Sequence, residues 1–242
     1  MIALNHVGVR AGAFTLTDIT FTIPSGAFGV VVGAAGSGKT TMLEVIADVR
    51  TVTSGTIALH QHSVTEWPPE KRGVGLVYQP GALFPHSGVA DNIGWSGQSE
   101  ALRKPIVDRL GIAALFNTPI TALSGGERQL VALARALVRV RSCLDRSESA
   151  VLLLNEPFSA LDPRRRLATR ETVREFHRDW QLTTLMVTHD SVEARRADSA
   201  ILLDAGRVVQ SGNPRQMLRQ PLRADVKLFL EDFLISAHSL QS

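Results

Sequence analysis

The chain has 242 residues, of which 44% are hydrophobic and 20% charged; this balance excludes a disordered polypeptide and fits one or two globular domains. Its 26 Lys and Arg against 23 Asp and Glu leave a net charge of +3, and the basic residues cluster densely only at Arg164-Arg165-Arg166, so no nucleic-acid partner is expected. Mean hydropathy is +0.07, yet apolar runs such as Phe28–Val32 fall far short of the roughly 20 residues that span a bilayer.

In chain order, short β-rich runs alternate with amphipathic segments, the pattern of an α/β fold with a largely parallel sheet. Ile2–Val9 and Phe14–Ile23 read as two strands before a Pro24-Ser25-Gly26 turn. The opening MIALNHVGVR has neither the basic nor the apolar stretch of a secretory leader, which leads to the expectation of a soluble cytoplasmic protein. Phe28–Val32 reads as a buried strand running into the Gly-rich stretch Gly33–Gly38, with a helix expected over Lys39–Ala47. Gly55–Leu59 and Gly73–Gln79 follow as strands. From Pro80 to about Leu123 the β character vanishes into loops and short helices, including Leu102–Leu110. Gly125–Val140 reads as a long helix, with Leu130, Leu133, Ala134, Leu137 and Val138 at the spacing of one buried face. Val151–Leu154 and Thr183–Val187 are apolar strands separated by a helix over Pro163–Trp180, on which the arginine run forms a solvated face. Ala200–Leu203 and Arg207–Val209 form a hairpin around Ala205-Gly206, and helices are expected near Asn213–Arg219 and Ala224–Ile235. Cys143 is the only cysteine, which excludes an internal disulfide and a Cys-rich zinc site.

The chemistry concentrates in a few motifs. Gly33-Ala34-Ala35-Gly36-Ser37-Gly38-Lys39-Thr40, followed by Thr41, matches G-x-x-x-x-G-K-[ST] with a strand before it and a helix after it. Glycines let backbone N–H groups turn inward around phosphate oxygens, and the helix N-terminus adds its positive dipole end. Lys39 brings a point charge to the β- and γ-phosphates, and the Thr40 hydroxyl is a Mg²⁺ ligand candidate. The stretch therefore reads as a nucleoside-triphosphate site. An acidic group is needed near such a loop, and Glu156, at the tip of the Val151–Leu154 strand, is the only carboxylate there; it is the candidate to polarise an attacking water. Ser124-Gly125-Gly126-Glu127 opens the long helix either as a capping box or as an anion cradle, and the residues alone leave both open.

Gly33–Thr40, Gln79, Leu123–Glu127, Leu154–Pro157, Ser159–Asp162 and Thr188-His189-Asp190 occur in the order found in ATP-binding subunits of ABC transporters, and the chain resembles that family over about residues 1–212. The resemblance implies a P-loop ATP-binding cassette: an N-terminal antiparallel β subdomain, a mostly parallel core over 1–79 and 131–212, a small helical subdomain over 80–130 and C-terminal helices over 213–242, all in one ATPase domain. It implies ATP and Mg²⁺ as cofactors. Gln79 becomes a glutamine that senses Mg²⁺ and the permease, and His189 a γ-phosphate contact. Ser124, Gly125, Gly126 and Glu127 become a signature loop that meets ATP held by the other subunit, with Asp162 at the dimer interface. Phe14 is the aromatic candidate for stacking on adenine. The implied assembly pairs two ATPase subunits head to tail on two membrane-embedded permease subunits, peripheral on the inner face of the cell membrane and served indirectly by a substrate-binding protein.

Three departures accompany the resemblance. Asn155 stands where the family has Asp, so its hold on Mg²⁺, made through water, is expected to weaken, while Glu156 keeps hydrolysis possible. Asp48 stands where a Gly follows the first helix, and Ser142–Ser149 reads as an inserted surface loop. Pro68–Arg72, Val77–Gln79 and Leu83–His86 resemble importer subunits, and the molybdate, tungstate and sulfate group is the nearest pattern, which makes a small solute such as an oxyanion the expected cargo, with other small-molecule importers as the alternative. Two alternatives accompany this expectation: a nucleotide-gated regulatory module with weak hydrolysis, and a soluble ABC ATPase. The second typically carries tandem ATPase halves or a long coiled-coil insertion, and the sequence shows a single phosphate loop and no such insertion.

Overall fold

The structure, a computed structural model, describes residues 1–78, 82–94, 97–146, 148–224, 226–228 and 231. Its elements begin with β1 (Ile2–Ala11), β2 (Phe14–Ile23), β3 (Phe28–Val32), α1 (Lys39–Ile46), β4 (Ser54–Leu59) and β5 (His62–Ser63). They continue with β6 (Val74–Val77), α2 (Val89–Ile93), α3 (Glu100–Arg109), α4 (Gly125–Asp145), β7 (Val151–Asn155) and α5 (Pro163–Asp179). The remainder are β8 (Thr183–Val187), α6 (Ser191–Arg196), β9 (Ser199–Asp204), β10 (Arg207–Gly212) and α7 (Pro214–Arg219). The chain divides into two compact units, residues 1–72 with 183–242, and residues 73–182.

In the first unit, β2-β1-β4-β5 form an antiparallel sheet. Leu16, Ile19, Phe21 and Ile23 of β2 are buried, and the change of parity after Leu16 coincides with a register shift and with Asp18 at φ 57°. That irregularity lets both ends of a twisted strand face the same core. The parallel strands β9-β3-β8 carry β10 antiparallel on β9. Every residue of β3 and β8 is buried, as strands covered on both faces require. Because they run parallel, the residues that follow β3 and β8 emerge at one edge.

The end of α1 explains one departure. Asp48 takes a left-handed conformation, φ 60°, where Gly is the usual choice, and its carboxylate pairs with Arg72 at 2.8 Å. The Arg72 side chain is 1% exposed and donates to the carbonyls of Val45, Ile46, Thr65 and Trp67. One guanidinium thus closes the helix end and neutralises the residue that follows it.

In the second unit, β6 and β7 pair in parallel, and α4 packs on both strands and on α2 and α3. This packing keeps α4 and the strands beside it in one compact unit with the helical segment. The face of α4 expected from its spacing is buried, but the helix runs five residues past Val140. Ser142–Asp145 are therefore helical, not the surface loop expected there, because Ser142 and Cys143 still fall on the buried face. The short helix α6 went unread in the sequence, and α2 was expected only as one of the unplaced short helices after Pro80, both being too brief to show a period. The helix expected over 224–235 lies largely outside the described residues.

Candidate nucleotide site

The first unit supplies the phosphate loop. Residues 34–36 are exposed and form the open arc between β3 and α1. Ser37 closes the arc by donating its N–H to the Ala34 carbonyl (3.2 Å), and its own carbonyl accepts from Gly206 N–H (3.1 Å) in the β9–β10 turn. Lys39 is 7% exposed, and its Nζ donates to the Gly33 and Ala34 carbonyls at 2.9 and 2.7 Å. These backbone contacts fold the ammonium back across the loop, within the arc that a phosphate would enter. The Ser37 hydroxyl is buried and, among the described residues, has no hydrogen-bond partner. A buried hydroxyl left in that state costs about 1–3 kcal/mol, and a phosphate oxygen would satisfy it. Gly38 enters α1 at φ 103°, and a Cβ there would lie 2.7 Å from the Phe14 ring. The glycine lets the aromatic edge rest on the loop, so the structure brings Phe14 and the Gly33–Thr41 stretch together. Thr40 presents an exposed side chain in the first turn of α1.

At the same edge, Val31 of β3 pairs in register with Val187 of β8. Gly33 and His189 thus each lie two residues beyond a paired position. His189 is exposed, and it is held between two local bonds: Asp190 N–H donates to the Thr188 hydroxyl, and the Asp190 carboxylate caps α6 through Val192 N–H.

The second unit supplies the acid and the signature segment. Asn155 ends β7 and is 4% exposed; Glu156 follows at φ 49° with its Oε1 buried. A non-glycine residue in that region costs about 1–3 kcal/mol unless its surroundings hold it. The hold comes from Gln129, 6% exposed on α4. Its Nε2 donates to the Glu156 carbonyl at 2.6 Å and its Oε1 accepts from Ala160 N–H at 2.9 Å. The Ser159 N–H and hydroxyl donate to the same Glu156 carbonyl.

Ser124 and Glu127 form a complete capping box. The Ser124 hydroxyl accepts from Glu127 N–H, while the Glu127 carboxylate accepts from the Ser124 N–H and hydroxyl at 2.8 and 2.7 Å. The hydroxyl bond first, then the backbone bond, holds the Glu127 carboxyl below its ordinary pKa. The box coexists with the glycines: a Cβ on Gly126 would stand 3.0 Å from the Ala160 carbonyl, so the bare backbone lets α4 approach the segment after Glu156. Asp162 caps α5 by accepting from the N–H groups of Arg164 and Arg165, both exposed. Gln79 lies outside the described residues. Gln129 was not singled out in the sequence, although a signal existed: it sits four residues before the buried Leu133, a polar group on an apolar stripe.

A family model described as "ABC transporter" matches residues 16–159, and the chain belongs to that family. The maltose/maltodextrin import ATP-binding protein MalK of Escherichia coli (strain K12) is 38% identical over 213 residues, covering 84% of this chain and 55% of that protein. MalK of Photorhabdus laumondii is 37% identical over 239 residues, covering 95% and 63%. The chain thus spans little more than half the length of these curated relatives. Among solved structures, a dimeric ATP-binding cassette in a post-hydrolysis state bound to ADP and Pi superposes with a TM-score of 0.75 at 24% identity, covering 88% of this chain and 98% of that one. An ATP-binding subunit of an ABC transporter gives 0.80 at 21%, covering 95% and 99%. These structures share the ABC cassette fold, as the sequence resemblance implied. The relatives named here are maltose and maltodextrin import proteins, and the oxyanion expectation finds no support in them.

Proposed function

We propose that the chain is the ATP-binding and ATP-hydrolysing subunit of an importer, working as a pair of ATPase subunits, identical or matched, beneath two membrane permease subunits. The observation that carries this reading is the phosphate loop: a buried lysine drawn onto two loop carbonyls beside a buried hydroxyl that has no partner among the described residues. An arriving triphosphate exchanges weak carbonyl acceptors for phosphate oxygens, and charge-assisted bonds are roughly twice as strong as neutral ones. Phe14 offers its ring beside the loop for the base.

Among the described residues no group of three or more His, Cys, Asp or Glu side chains is arranged to hold a metal. The Thr40 hydroxyl is a hard oxygen of the kind that would ligate Mg²⁺, phosphates and water would supply the other ligands, and Asn155 would act only on one of the metal-bound waters. When bound, that ion neutralises charge on the β- and γ-phosphates. In hydrolysis the Glu156 carboxylate accepts a proton from water as the water oxygen bonds to the γ-phosphorus and the bond to ADP breaks; Lys39 and His189 stabilise the phosphoryl oxygens. Ser124–Glu127 and Asp162 meet the nucleotide of the opposite subunit, and Gln79 links the metal to the permease.

A groove of about 400 Å³ in the second unit, lined by Leu76, Tyr78, Phe84, Ile93 and Arg135, supports the permease partner. Arg135 lies over the Phe84 ring at 5.3 Å and donates to the Ala82 carbonyl, leaving an apolar recess with a cationic rim. Among the described residues no helix is long and apolar enough to cross a membrane; a peripheral place on the inner membrane face follows from the proposed permease partner. The cargo is a small solute; the named relatives favour a sugar over an oxyanion.

Asn155 favours one second reading, a nucleotide-gated module in which binding does the switching and hydrolysis is weak. Steady-state ATP turnover separates the two. The ATPase reading expects turnover that falls at least about 100-fold in Glu156→Gln, while Lys39→Ala loses ATP binding by calorimetry. Turnover equal to that of Glu156→Gln favours the switch, and unchanged ATP affinity in Lys39→Ala removes both readings.

A further inference from the structure

We propose that Gln129 is a positioning residue that holds Glu156 in its working conformation and ties it to the signature segment. The inference rests on the ATPase reading above. The Gln129 side chain bonds to both ends of the turn that begins at Glu156. Its amide donates to the Glu156 carbonyl and accepts from Ala160 N–H, so a single planar group fixes the span of that turn. The amide is 6% exposed, so water does not readily replace either bond. Glu156 sits at φ 49°, a conformation its side chain does not favour, and the Glu156 carbonyl is the atom on which Gln129 Nε2 and both Ser159 donors converge. Rotation of that peptide moves the carboxylate with it.

The other end of the device is the signature segment. Gln129 lies in the second turn of α4, five residues after Ser124, and Gly126 in the first turn has no side chain to keep the Ala160 carbonyl away. A nucleotide pressing on Ser124–Gly126 from the opposite subunit therefore displaces a helix start that is bonded, through Gln129, to the peptide of the catalytic carboxylate. A capping interaction alone would leave Glu156 indifferent to α4. This bond does not.

The amide has one irreplaceable property, which is donating and accepting at once. Gln129→Glu keeps the shape but, when ionised, faces the Glu156 carbonyl with an acceptor; when protonated, its O–H donates again. Gln129→Leu removes both bonds. Steady-state ATPase kinetics at saturating Mg²⁺, with thermal unfolding as a check on folding, test the proposal. The expected result for Gln129→Glu is a kcat at least tenfold below wild type at pH 8 with KM for ATP within about threefold, and a ratio to wild-type kcat that rises as the pH falls to 6. Gln129→Leu, if folded, lowers kcat equally without the pH-dependent recovery; if it does not fold, the Glu variant decides alone. A Gln129→Glu enzyme with kcat within twofold of wild type, or a loss that appears in KM alone, or one that does not recover with acid, overturns the proposal while leaving the ATPase reading intact. Wild-type protein without turnover overturns that reading first, and this one with it.

Discussion

At the scale of single residues, the proposed Mg²⁺ site turns on position 155. Asn155 is buried at the tip of β7 and offers a neutral carbonyl where a carboxylate would hold Mg²⁺-bound water by charge-assisted bonds. A bond to a charged group contributes about 1.5–3 kcal/mol, so restoring it corresponds to roughly 10- to 100-fold in apparent affinity. Asn155→Asp is therefore expected to lower the Mg²⁺ concentration for half-maximal ATPase activity by that factor, with ATP binding in the absence of metal unchanged. Superimposable Mg²⁺ titrations would show that position 155 does not govern the metal. Residues such as Lys39 and Asn155 were legible in the sequence because their neighbours along the chain announce them. Gln129 and Arg72 were not, because each meets its partners through backbone carbonyls or N–H groups up to 31 residues away. A carbonyl carries no residue type, so no spacing rule points to it.

At the scale of elements, helices α1 and α4 are each fixed at one end by identifiable polar groups. Arg72 closes the C-terminus of α1 with a guanidinium bonded to four carbonyls and to Asp48. Removing one member of a buried charged set costs about 3–5 kcal/mol, toward the low end here because Asp48 is 25% exposed and regains water. Arg72→Met is expected to lose about 3 kcal/mol, a Tm fall of roughly 6–12 °C at about 2–4 °C per kcal/mol for a chain of this size. A fall under 2 °C in a calorimetric scan would mean that the guanidinium is dispensable. At the other helix, the Glu127 carboxyl has a lower pKa folded than unfolded. Its contribution is therefore fully present above the unfolded value of about 4.3 and disappears as the pH falls through the lower, folded one. The Tm difference between wild type and Glu127→Gln is expected to be largest above the unfolded pKa and to shrink as acid protonates the folded carboxyl; a difference independent of pH would place the helix start's stability elsewhere. The long, periodic elements were readable to within a residue or two at most ends. The exception, the C-terminus of α4, ran on because Ser142 and Cys143, neither strongly apolar, still landed on the buried face.

At the scale of the whole molecule, the phosphate loop and the signature segment lie on different compact units of one chain, and each is locally complete without the other. In the proposed pair of subunits, the loop of one and the signature segment of the second would share an ATP. That arrangement makes association depend on nucleotide, on the acid that removes it and on Ser124. Sizing chromatography of Glu156→Gln with and without ATP measures this directly. The account predicts a monomer without nucleotide, a dimer with ATP, and a monomer again when Ser124→Arg is added, because a bulky cation then occupies the place of the γ-phosphate contact. A dimer that forms equally well in the double variant, or one that ignores ATP altogether, would contradict it.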